Sequence, residues 1–168
     1  WAGVEAHFVL YANGTLKFSG SGDMYYHQSN ATIPWAKLRE SITRVEIGKD
    51  ITSIARFALA HAYYVEEIVF EEGSKLETIG YQSFHYLNRI KELILPDYVK
   101  TIEWCAFGYW TSLKSIYLPD SLESINEKAF EKHNADLVLQ VAEGTYAAQF
   151  AEKYGFKVQL REKVPQVV

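Results

Sequence analysis

The side chains here with chemical potential are one thiol, five imidazoles and a dense set of aromatic rings. A thiol nucleophile needs a base to take its proton and donors to hold a developing oxyanion. Cys105 is the single cysteine, and no histidine follows it closely in sequence, so it reads as a partly covered spectator. His7, His27, His61, His85 and His133 neither pair at helical spacing nor stand beside a cysteine in a ligand pattern. Solvated loop histidines are expected, with no metal and no cofactor. Asn13-Gly14-Thr15 and Asn30-Ala31-Thr32 match the glycosylation acceptor pattern. That match carries meaning only in a host that glycosylates, and Asn13 has a simpler role in a turn. The aromatics are more informative. Tyr63, Tyr64, Tyr81, Tyr86, Trp104, Tyr109 and Trp110 crowd one part of the chain. Exposed together they would form an interaction patch; otherwise they pack over loops and a core edge.

The elements that must position these rings are repeats. Ser53-Ile54, Thr78-Ile79, Thr101-Ile102 and Ser124-Ile125 recur at steps of 25, 23 and 23 residues. Five residues after each isoleucine stands Leu59, Phe84, Phe107 or Phe130, preceded by Ala58, Ser83, Ala106 or Ala129. Ahead of the dyads runs a second pattern: Ile42, Val45, Ile47; Val65, Ile68, Phe70; Ile90, Leu93, Leu95; and Leu113, Ile116, Leu118. The offset is constant except that the second copy gains two residues at Glu71-Glu72-Gly73-Ser74.

Alternation with period two predicts a strand with one buried face, ended by turn chemistry at Gly48, Pro96 and Pro119. No coil of this size buries its own apolar face. Stacking coils at ~4.8 Å merges those faces into one core. The expectation is an α+β repeat solenoid, right-handed, of about four coils over 41–136. Leu59, Phe84, Phe107 and Phe130 should form a ladder within it. The Ser53, Thr78, Thr101, Ser124 column should pair its hydroxyls with each other or with backbone. His61 and His85 fall one slot apart on neighbouring coils and so can approach each other.

Solenoid ends need covers. Residues 1–40 contain a β-hairpin, with strands His7 to Tyr11 and Thr15 to Phe18 around Asn13-Gly14. Residues 137–160 close the other end with a last strand over Ala135 to Val141, a helix over Thr145 to Tyr154 stopped by Gly155, and a final strand from Phe156 to Leu160. Residues 161–168 read as linker, which suggests a modular parent protein. The start at Trp1 suggests a processed product or a piece of something longer.

Bulk properties narrow the partners. The net charge is −4 with both signs mixed along the 168 residues. Nucleic-acid binders present a basic face that releases phosphate counterions, which argues against that partner here. The apolar runs fall far short of a membrane span. One cysteine permits no intrachain disulfide, which suits a reduced cytosol or a secreted domain stabilised by repetition.

The stretch Leu113 to Ile125, carrying Leu118-Pro119, followed by Ala129-Phe130, resembles the leucine-rich repeats of the BspA type, also called Treponema pallidum type. The hairpin around Asn13-Gly14, Pro34-Trp35, and Glu143 to Ala151 are similar to that family's terminal covers. The resemblance implies a leucine-rich-repeat solenoid in surface-exposed or secreted proteins of anaerobic host-associated microbes. It implies adhesion or recognition and brings no catalytic residues. Leu59 in a Phe slot, and Leu87 and Trp110 where the family has small residues, depart from the pattern.

The expected function is a non-catalytic recognition or adhesion module binding a protein partner. Two alternatives stand beside it, a carbohydrate-binding module using exposed aromatics and a passive spacer. Tyr81 and Trp104 share a slot with Arg56 and Glu127, so that slot faces solvent. With Tyr86, Tyr109 and Trp110 they form the first candidate partner-binding patch. The second candidate is the outer strand row of Val69, Ile94 and Tyr117, which begins at Glu46.

Overall fold

A computed structural model describes residues 3–163. Strands β1 (Gly3–Leu10) and β2 (Thr15–Met24) form the expected antiparallel hairpin. Asn13 Oδ1 accepts from the Thr15 amide at 3.1 Å, and Gly14 takes the φ of +85° that the turn demands. Strand β2 then turns a corner near Gly20, whose φ is +91° and where any Cβ would lie 1.9 Å from the Glu5 carbonyl oxygen. Its first half pairs in parallel with β3 (Arg44–Ile47), its second half with β4 (Ile51–Ile54). One bent strand thus starts both sides of the solenoid.

The coils continue with β5 (Glu67–Phe70), β6 (Thr78–Ile79), β7 (Glu92–Ile94), β8 (Thr101–Ile102), β9 (Ser115–Tyr117), β10 (Ser124–Ile125) and β11 (Val138–Ala142). Along the back, β4, β6, β8 and β10 form an unbroken parallel ladder with Ile54, Ile79, Ile102 and Ile125 in register. Along the front, β3 pairs β5, while β7 pairs β9 and β9 pairs β11, again in parallel. Strand β11 stacks on β9 in the repeat's own register, so the front holds five stacked coils, one more than four.

The front ladder has one interruption. No hydrogen bond joins β5 to β7, and nearly every Cα pair between them is more than 8 Å apart. The coil between these strands carries the two additional residues. Since the back ladder keeps its register through this coil, the extra length is taken up at the front.

The core follows the repeat. Leu59, Phe84, Phe107 and Phe130 are buried, with ring centroids 5.7 Å apart for Phe84 and Phe107 and 5.3 Å for Phe107 and Phe130. Trp35, fully buried, covers the first coil and donates its indole N–H to the Ala58 carbonyl at 2.6 Å. At the far end, helix α1 (Tyr146–Tyr154) lays Ala147, Phe150 and Ala151 over the last coil. Thr145 caps it by accepting from the Ala148 amide, and Gly155 ends it in the left-handed conformation. Strand β12 (Lys157–Arg161) extends the front sheet beyond β11. It includes Arg161, one residue into the stretch read as linker, and 164–168 lie outside the described residues.

The hydroxyl column behaves differently from expectation. Ser53, Thr78, Thr101 and Ser124 point outward and bond neither to each other nor to backbone. In a parallel ladder this side of the strand faces water, which satisfies a hydroxyl at no cost in order.

Candidate protein-binding faces

The turns between back and front strands aim the aromatic rings. Phe57, Gln82 and Cys105 hold φ near +50° to +61°, as do His61, Tyr86 and Tyr109 four residues later at +63° to +68°. Left-handed backbone costs a non-glycine residue roughly 1–2 kcal/mol. Here each such amide is repaid by a bond to the next coil, as in Gln82 N–H to the Trp104 carbonyl and Tyr86 N–H to the Gly108 carbonyl, both 3.0 Å. Side chains leaving these positions are therefore stacked along the solenoid axis.

Two ring columns result. In the first, Tyr81 and Trp104 are half-buried and stacked, centroids 4.9 Å apart and 17° between planes. The Arg56 guanidinium covers the opposite face of Tyr81 at 4.5 Å and meets the Tyr26 hydroxyl. In the second, His61, Tyr86 and Tyr109 stack at 4.9 and 4.5 Å. His61 and His85 approach to 5.8 Å. His85 is buried and its Nε2 has no hydrogen-bond partner, so burial first, then His61, pushes its pKa down to about 4. It is neutral at physiological pH. Its ring also explains Gly108, where a Cβ would come within 2.8 Å of His85 Cδ2.

Trp110 does not belong to this patch. It is fully buried, donates its indole N–H to the Phe84 carbonyl and packs edge-on against Phe107 at 5.2 Å. Ala62, Leu87 and Trp110 occupy one repeat slot, and an apolar residue in three coils is the signal of an inward position. Cys105 is buried too. Its thiol donates to Glu131 at 3.1 Å, and burial with that carboxylate pushes its pKa up to about 12. A thiol held protonated in this way is a weak nucleophile and a poor ligand. Among the described residues no cluster of three or more His, Cys, Asp or Glu could hold a metal, and no helix is long and apolar enough to cross a membrane.

The front face offers a different surface. Lys17, Glu46 and Val69 are aligned on one block, Ile94, Tyr117 and Gln140 on the other. The row of Val69, Ile94 and Tyr117 is thus split by the gap between β5 and β7. Ile94 is 72% exposed and Tyr98 56%. They border a cleft of about 370 Å³ that also draws on Phe70, Tyr117 and the additional loop, with Glu71, Glu72 and Asp97 at its rim. Tyr117 is held from both sides. Its hydroxyl donates to Asp97 at 2.8 Å, and the Arg161 guanidinium lies 4.1 Å over its ring. Burial and the Asp97 bond push the Tyr117 pKa up to about 12, so it remains a neutral wall of the cleft.

The profile of the BspA type leucine rich repeat region matches residues 37–138 with 6 copies. The chain belongs to this family. Two solved structures are similar. A leucine-rich repeat protein from Eubacterium ventriosum aligns with TM-score 0.64 and 24% identity, covering 84% of this chain and 43% of that one. The Treponema pallidum leucine rich repeat protein aligns with TM-score 0.59 and 15% identity, covering 94% and 97%. At these identities the likeness shows the fold alone. The chain spans less than half the length of the Eubacterium protein. No curated protein matches the sequence. Members of a repeat family of this kind are typically interaction modules without catalysis.

Proposed function

We propose that this BspA-type domain is a non-catalytic recognition module that binds a protein partner on its front face, within a protein exposed on or secreted from a microbial cell. The observation that carries this reading is Ile94. A large aliphatic side chain 72% exposed, beside Tyr98 and a cleft, leaves apolar surface that a partner would bury. The Tyr81 and Trp104 column has less to offer. Both faces of Tyr81 are covered, by Arg56 and by Trp104, so binding there gains mainly ring edges and the outer face of Trp104. With only the outer face of Trp104 free, the column offers little stacking surface to a sugar. The location and the adhesive role rest on the family.

The test compares two double variants, Val69→Ser with Ile94→Ser and Tyr81→Ala with Trp104→Ala. Each is measured by surface plasmon resonance against a panel of purified host and microbial surface proteins, with a glycan array in parallel. The front-face pair should lose binding at least tenfold while the aromatic pair keeps it. Loss confined to the aromatic pair, or binding only to glycans, would overturn the reading.

A further inference from the structure

We propose that the gap between β5 and β7 is a strand-acceptor site, in which an extended, basic segment of a partner protein adds as one strand and completes the front sheet. The inference rests on the front face being the binding surface. It specifies what binds there and how.

The main chain makes the first part of the case. In a parallel ladder, alternate residues direct N–H and C=O to opposite neighbours. The Glu71 amide donates to the Ile47 carbonyl, which puts Glu67 and Val69 in the same phase toward β3, so Ile68 and Phe70 direct their backbone groups toward the gap. The Lys114 amide donates to the Lys91 carbonyl, so Glu92 and Ile94 direct theirs toward the gap from the other side. None of these gap-facing groups has a hydrogen-bond partner among the described residues. One inserted strand needs two strand spacings, ~9.6 Å, and nearly all Cα pairs across the gap exceed 8 Å.

Burial makes the second part. Among equivalent inward residues, Val45, Ile116 and Leu139 are 0% exposed, while Ile68 and Leu93, which flank the gap, are 9% and 5%. At these inward front-strand positions, apolar surface is open to water only where the ladder is broken. An inserted strand with an apolar residue facing inward would cover it.

Charge selects the occupant. Glu71, Glu72 and Asp97 rim the cleft at the C-terminal end of the gap, and no Lys or Arg lines it. Glu92, on the gap's outer side, is exposed and unpaired. A segment alternating apolar residues inward with Lys or Arg outward meets both requirements. The Glu66 and Arg89 ion pair at 2.9 Å bridges the opposite end of the gap and limits the site's length. Strand addition of this kind gains affinity from main-chain bonds and specificity from alternate side chains.

The experiment uses an acetylated, amidated peptide alternating lysine and valine, the same peptide N-methylated at alternate amides, and a glutamate–valine counterpart. Binding is read by fluorescence anisotropy and site by amide hydrogen exchange. The lysine peptide should bind, and both others should bind at least tenfold more weakly. The Ile68, Phe70, Glu92 and Ile94 amides should exchange fast in the free protein and slow at least tenfold when the peptide is bound. Deleting Glu72 and Gly73 should close the gap and abolish peptide binding while the protein keeps its circular dichroism. Equal binding by the N-methylated peptide, or slow exchange of those amides in the free protein, would overturn strand addition yet leave front-face recognition standing. Protection appearing instead at Tyr81 and Trp104 would remove both.

Discussion

Replacing Phe107 by Ala tests whether the internal ladder holds the solenoid together. The ring is 0% exposed, stacked between Phe84 at 5.7 Å and Phe130 at 5.3 Å, with Trp110 edge-on at 5.2 Å. Truncating a core Phe costs about 3–5 kcal/mol through lost burial plus the cavity left behind. Neighbouring coils are pinned by hydrogen bonds on either side of this slot, such as Phe107 N–H to the Ala129 carbonyl at 2.9 Å. The cavity therefore cannot collapse, and the upper half of that range is expected. With a urea m-value of about 2 kcal/mol/M, the unfolding midpoint should fall by roughly 2 M. Trp104→Ala is the control. Its ring is half-buried and stacked on Tyr81 alone, an interaction of about 0.5–1.5 kcal/mol. Equilibrium urea unfolding followed by circular dichroism reads both. Equal losses, or a Phe107 loss near 1 kcal/mol, would show that the ladder is not the organising contact.

Three further outcomes follow from the same geometry. Trp110→Ala should cost about 3–5 kcal/mol and leave peptide or protein binding unchanged at permissive temperature, measured by thermal melts and anisotropy. His85 favours its neutral form in the fold, with its pKa lowered to about 4 from 6.5. Its contribution is therefore complete above pH 6.5 and lost as pH falls toward 4, a difference of order 3 kcal/mol; urea titrations across this window should show a steeper slope for wild type than for His85→Gln. Cys105, its pKa near 12, should resist a thiol-reactive disulfide reagent at neutral pH until the protein unfolds; prompt native labelling would contradict its burial beside Glu131.

Much of this architecture is legible in the chain itself, because its determinants are local and repeated. The Ser/Thr-Ile dyads and the alternating strand anchors state their period four times, so the core column, the back ladder and the hairpin around Asn13-Gly14 could be read directly. The identity of each slot also reports its side. Arg56, Tyr81, Trp104 and Glu127 vary as a solvent-facing slot does, whereas Ala62, Leu87 and Trp110 share the apolar character of an inward one. Reading Trp110 with the exposed rings followed its position among aromatic neighbours and missed that column. The relations between coils belong to tertiary structure. The stacking that uses up both faces of Tyr81 depends on left-handed turn residues that propensity does not announce. The insertion at 71–74 was visible as two additional residues, but their effect was not. Either ladder could have absorbed that length. The back stays in register because its isoleucines are packed into the core, so the slack opens β5 from β7 and leaves main-chain groups without partners on the front.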